Sequence, residues 1–239
     1  MKKLNKKIAV ITNIILIFTV AFVYGVSFIP EPTLPIYSGS TNQAIYRGNK
    51  NAKNVSLMFN VYENTQTVNE IIDILNEKGV KATFFVGGCW ADDNEQTLKK
   101  IVSDGHEIAN HGYFHKDHKK LSESENKLEI ENCDKIVYSL TGYKMNLFAP
   151  PSGSFSKNTL KVSKSLNYKT IMWTKDTIDW RDSDENLIIS RATKNVSSGD
   201  FILMHPKTHT LNALPKIIDT IKEKGLNFKG VNDCLGVNA

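Results

Sequence analysis

Between Val55 and Val231 short, nearly continuous apolar runs alternate with stretches in which apolar positions recur every three or four residues. Strands wrapped by helices produce that alternation. VSLMFNV, VKATFFV, YKTIMW and FILMH predict buried strands. Helical periodicity predicts helices over 67–78, 94–104, 122–140, 156–166, 184–195 and 211–224. Gly79 and Gly225 stand just past two of them, where a residue of positive φ commonly ends a helix. A βα barrel and a doubly wound sheet both fit this pattern.

Ahead of this body, Ile8 to Ile29 runs 22 residues without a charge. At about 1.5 Å per residue this is long enough for a bilayer core of about 30 Å. Lys2, Lys3, Lys6 and Lys7 precede it and no lysine follows closely. The positive-inside rule therefore predicts a cytoplasmic N-terminus and an extracellular body. A cleaved signal peptide is the competing reading. The run exceeds a usual h-region and no A-x-A site follows Ala21, which favours a retained anchor. Pro30, Pro32 and Pro35 and then a Ser, Gly and Asn-rich stretch predict a spacer. The expected organisation is 1–29 lysine-rich end and anchor, 30–54 linker, and 55–239 a single globular domain.

The formal charge is +5, of which the four leading lysines supply four. A nearly neutral body carries no electrostatic footprint for a phosphate backbone, so nucleic acid is excluded as the expected partner. Cys89, Cys133 and Cys234 are widely spaced and odd in number. They predict buried thiols acting as small apolar groups, not a disulfide framework.

In α/β folds chemistry gathers on the loops at the C-terminal ends of strands. The unusual polar residues fall there: Asn60 and Glu63 after the first strand, His111 and His115 after HEIAN, Asp176 and Asp179 after YKTIMW, and His205 after FILM. Two imidazoles four residues apart, as in NHGYFHKDH, can meet one metal ion from a helical turn or a tight loop. Alone, that spacing is weak evidence. A polar loop of this kind is more often simply solvated.

KGVKATFFVGG, DGHEIANHGYFH, LFAPPSG, MWTKDTIDW and GDFILMHP, followed by ALPKIIDTIKEKG, occur in an order that resembles the NodB-like polysaccharide deacetylases, carbohydrate esterase family 4. The resemblance spans about residues 55 to 232 and is similar in look to the sporulation-associated bacterial branch. It implies a distorted βα barrel. It also implies metal-dependent hydrolysis of non-peptide amide bonds, removing N-acetyl groups from amino sugars of a polymer such as peptidoglycan. Carried over residue by residue, His111 and His115 match the two histidine ligands of a divalent metal, Zn or else Co or Ni. His205 matches the general acid and Asp176 the carboxylate that orients it. Trp180, with Asp179 and Pro151, matches the substrate groove.

The sequence departs from the family where two adjacent aspartates, the base and the third ligand, are usual: it reads Asn60 and Val61. The family arginine that holds the base is Ala149. An amide has no basic lone pair near neutral pH and an isopropyl group cannot ligate an ion. An arginine kept beside a neutral Asn60 would be a half-buried charge without its partner, so the losses are mutually consistent. Two functions remain open. One is a weak hydrolase, with the metal loosely held and completed by Glu63, Asn64 or water, and Glu63 or Asp176 as base. The other is a catalytically impaired carbohydrate-binding or envelope-assembly module. Either is expected as a monomer at the membrane, facing cell-wall polysaccharide.

Overall fold

The computed structural model describes residues 43–236 together with Leu16, Ile17 and Thr19. The chain divides into two compact units, Met1–Thr41 and Asn42–Ala239. The expected anchor and the first part of the spacer belong to the first unit and, three helical residues apart, lie outside the described residues. No helix among the described residues is long and apolar enough to cross a membrane.

The second unit runs β1 (Asn54–Val61), α1 (Thr65–Glu77), β2 (Thr83–Val86), α2 (Gly88–Asp93), α3 (Glu95–Ser103), β3 (Glu107–Asn110) and α4 (Glu123–Thr141). It continues with β4 (Leu147–Phe148), a 3₁₀ turn (Pro151–Gly153), α5 (Lys157–Ser165), β5 (Lys169–Thr170), β6 (Lys175–Asp176) and α6 (Glu185–Thr193). β7 (Phe201–Met204), α7 (Thr208–Glu223), β8 (Asn227–Phe228) and α8 (Val231–Leu235) complete it. The sheet order is β5-β4-β3-β2-β1-β7-β6, parallel throughout, with β8 on the first residues of β1. This is a parallel α/β half-barrel, the coarse form of the barrel that the family resemblance implies.

Parity along β1 decides what the site receives. Val55, Leu57, Phe59 and Val61 pack into the large core beneath the helices, while Met58 joins a smaller inner core with Phe85, Ala109, Leu147, Ile171 and Phe201. Both faces are covered, which is why the strand reads as one apolar run and not as an alternation. Each fully buried Phe or Leu of this kind contributes about 1.5–3 kcal/mol.

Two expectations are revised. The spacer does not extend to residue 54: Ile45 N donates to Thr170 O and Met172 N to Ile45 O, both at 2.8 Å, and Arg47 pairs with buried Asp200 at 2.5 Å. The last part of that polar stretch is thus tied to the body by backbone bonds and one ion pair, which apolar periodicity does not reveal. The helix expected over 94–104 is preceded by a separate short one, α2, because Asn94 leaves the helical region at φ −131°.

Candidate active site

A cavity of about 470 Å³ opens at the C-terminal ends of the strands. Asn60, Glu63, His111, His115, Asp176, Trp180 and His205, taken from four separate segments, all line it. Tyr62, Ser152, Trp173, Leu203, Pro206 and Lys207 complete the wall, and sequence patterning singled out none of these. Pro151, expected in the groove, is buried behind it against Gly112, and its neighbour Ser152 reaches the cavity at φ 55°.

The histidine loop is fixed from behind by α4. This helix begins at a capping box in which Ser122 and Glu125 satisfy each other's backbone. One turn in, Asn126, Glu129 and Ile130 share the inward face at i, i+3, i+4 spacing. Glu129 Oε2 accepts from Tyr113 N at 3.0 Å and Phe114 N at 2.7 Å. Asn126 Oδ1 bonds His118 Nδ1 at 2.8 Å while its amide donates to the carbonyls of His118, Leu121 and Ser122. Asn110 donates to Ile130 O at 2.8 Å and accepts from Gly112 N at 2.9 Å. These bonds hold a loop in which Gly112 and His115 both take positive φ, 73° and 53°. Such a conformation is uncommon for histidine and persists where its surroundings over-determine it. A sequence signal existed: two polar side chains on the otherwise apolar stripe of a long helix.

His111 is 1% exposed. Its Nδ1–H donates to Ala149 O at 2.8 Å, which fixes the tautomer and leaves Nε2 a bare lone pair, buried without a partner. Burial first, then the neighbouring His115, lowers its pKa to about 3, so the ring is neutral. The His115 ring lies 5.1 Å from that of His111 and 4.9 Å from that of Tyr62, and its pKa too is lowered, chiefly by burial. Ala149 contributes only its carbonyl, its side chain lying in the inner core.

Asp179, not Asp176, holds His205. Nδ1–H of His205 donates to Asp179 Oδ1 at 2.7 Å, its backbone N to Oδ2 at 2.7 Å, and Thr210 Oγ1 also to Oδ2 at 2.7 Å. Burial alone would raise the carboxyl's pKa, but His205 and Thr210 outweigh it and hold it below the ordinary value. Being 1% exposed, Asp179 presents no surface to a groove either. The exchange of roles comes from the turn between them. Ile178 sits at φ 55°, a rare conformation for a β-branched residue, with its N–H on Asp176 Oδ1 at 2.8 Å. Asp176 is thereby turned to the cavity wall and Asp179 inward. His209 Nε2 caps the turn through Asp179 O at 2.7 Å.

The family's divalent metal needs a third ligand. Val61 continues the outward face of β1 and is fully buried in the helix-side core. Glu63 is exposed and ion-paired with Lys207, and Asn64 donates to Pro206 O at 3.0 Å. Among the described residues no group of three or more His, Cys, Asp or Glu gathers as a metal site. The two imidazoles would suit such an ion, but the set around them does not complete it.

Residues 47–171 match the family model "Polysaccharide deacetylase". The chain belongs to the polysaccharide deacetylase family. An uncharacterised protein of Bacillus subtilis (strain 168), YlxY, is 37% identical over 81% of this chain and 60% of its own length. The peptidoglycan-N-acetylmuramic acid deacetylase PdaA of the same organism is 32% identical over 80% of this chain and 75% of its own. Among solved structures, a CE4 family pseudoenzyme from Bacillus anthracis superposes with a TM-score of 0.80 at 35% identity, covering 82% of this chain and 70% of that one. A mutant of that pseudoenzyme, described as having restored enzymatic activity, matches with the same TM-score at 34% identity over 82% and 72%. This polysaccharide deacetylase-family chain thus resembles both a relative named as a peptidoglycan deacetylase and a pseudoenzyme.

Proposed function

We propose that this polysaccharide deacetylase-family chain is a binding module for cell-envelope glycan, its hydrolysis of N-acetyl groups residual or lost. One observation carries the reading. At the end of β1 the only side chain turned to the cavity is the neutral amide of Asn60, and Val61 packs away from it into the core. The end of β1 therefore supplies neither a carboxylate at the family's base position nor a charged ligand to join His111 and His115. General-base assistance is worth about 10²–10⁴ in rate, and its loss alone reduces turnover by that order.

A slow hydrolase remains the second reading, favoured by the intact pair of His205 and Asp179. Asp179 holds the imidazole so that Nε2 is free to carry a proton to a departing amine. Peptidoglycan is the natural polymer, given the relatives' named substrates, and Ile8 to Ile29 would keep the body outside at the membrane. Acetate release from peptidoglycan, with and without saturating Zn²⁺ or Co²⁺, tests the reading alongside a glycan pull-down. Retention on the polymer with acetate at background is expected; acetate release at the rate of PdaA assayed in parallel would overturn it. Protease treatment of intact cells should digest the body and leave the N-terminal segment with the membrane. A full-length chain recovered in the soluble fraction would sink the anchored topology.

A further inference from the structure

Two atoms of residues that line the cavity carry the inference. Asn60 Oδ1 and His111 Nε2 are both buried without a hydrogen-bond partner, and both residues line the same cavity. Both are acceptors: the first is an amide oxygen, and the second is a lone pair because Nδ1 carries the proton to Ala149 O. Leaving a buried acceptor unmatched costs about 1–3 kcal/mol, so a pair of them marks a place for a donor. The family's divalent ion would answer His111, but among the described residues no group of three His, Cys, Asp or Glu gathers to hold it.

We propose that the cavity reads the protonated amine of an already deacetylated 2-amino sugar, and so binds the product class of the family's reaction in preference to its N-acetylated substrate. This rests on the glycan-binding reading above. An ammonium brings three N–H donors and a positive charge to two unmatched acceptors. The carboxylate of Asp176 stands on the same wall, and Tyr62, Trp173 and Trp180 supply aromatic faces that suit both a sugar ring and a cation. Lys207, the one lysine of the wall, is neutralised by Glu63 and does not repel the ligand. An acetamide brings the same acceptors one N–H donor and no charge, against three donors and a full positive charge on the ammonium.

The test is calorimetric titration of the full-length chain, in chelator, with a β-1,4-linked glucosamine tetramer and with the N-acetylglucosamine tetramer. The amino form is expected to bind about tenfold or more tighter, the scale of one charge-assisted hydrogen bond. Asn60→Leu should bring the two ligands to parity, and Asn60→Asp, nearly isosteric, should widen the preference by adding a charge. The aspartate variant keeps the test decisive if the leucine variant does not fold. Equal or tighter binding of the N-acetylated tetramer overturns the amine proposal while leaving the glycan reading standing. No binding of either overturns both. A preference that survives Asn60→Leu, or that Asn60→Asp fails to increase, places amine recognition elsewhere and overturns the site.

Discussion

At the scale of single residues, the parity of β1 sets what repair of the site would require. Val61 faces the helix-side core, so Val61→Asp alone buries an unpaired carboxylate. A stability loss on the order of 3–5 kcal/mol is expected, read as a lower urea midpoint. Saturating Zn²⁺ should return part of it if the strand end can turn its new carboxylate toward His111 and His115. A midpoint that is unchanged without metal would show that residue 61 does not point into the core. Asn60→Asp alone should add little acetate release. The triple change Asn60→Asp, Val61→Asp and Ala149→Arg should add the most, and far from additively, because base, ligand and positioning group act as a unit. The sequence made Asn60, Val61 and Ala149 legible as departures, since they interrupt ordered motifs. It did not show which of Asp176 and Asp179 reaches His205. That assignment depends on the positive φ of Ile178, which no propensity of isoleucine announces.

At the scale of elements, long amphipathic stretches and the wholly apolar strands, such as β2 and β7, are legible in the sequence, and the polar or two-residue strands are not. The helices expected over 122–140 and 156–166 are observed as Glu123–Thr141 and Lys157–Ser165, because caps and a sustained 3.6 period define them locally. β4, β6 and β8 are two residues each and are set by their neighbours in the sheet, so periodicity cannot find them. β3 is missing from the apolar runs because its four residues include Glu107 and Asn110, polar groups that packing absorbs. Glu107 accepts from Thr83 Oγ1 at 2.6 Å and Val231 N at 2.7 Å at the foot of the sheet. Asn110 ties β3 to α4. The same helix governs the histidine loop, and Glu129→Leu tests it. Removing the acceptor strands two backbone N–H groups and should cost about 1–3 kcal/mol. Hydrogen exchange at Tyr113 and Phe114 should accelerate more than at the amides of β1. Uniform acceleration across the fold would mean that Glu129 serves global stability and not the loop.

At the scale of the whole molecule, the fold is built around imidazoles that must stay neutral, and its stability should therefore depend on acid in a particular window. His106 is 3% exposed at the foot of the barrel, edge-on to Phe84 at 5.5 Å, with Ala82 N donating to its Nδ1 at 3.4 Å. Its Nε2 is buried without a partner. Burial first, then Lys81, lowers its pKa to about 4. The unfolded chain, with histidine near about 6.5, binds more protons than the native one between those values. Stability from this residue is therefore fully present above about pH 6.5 and is lost as pH falls toward about 4. At roughly 1.4 kcal/mol per unit, the loss is on the order of 3 kcal/mol. His111 and His118 are lowered by burial too and add to the same slope, whereas the depressed carboxyl of Asp179 contributes only at still lower pH. Urea unfolding at pH 7, 6, 5 and 4 should show the wild type weakening steeply across the window. His106→Leu, apolar and close in volume, should weaken less steeply by about that amount, with no change in slope above pH 7. A variant that loses stability as fast as the wild type between pH 6 and 4 would assign the acid sensitivity to the histidines of the cavity and its loop.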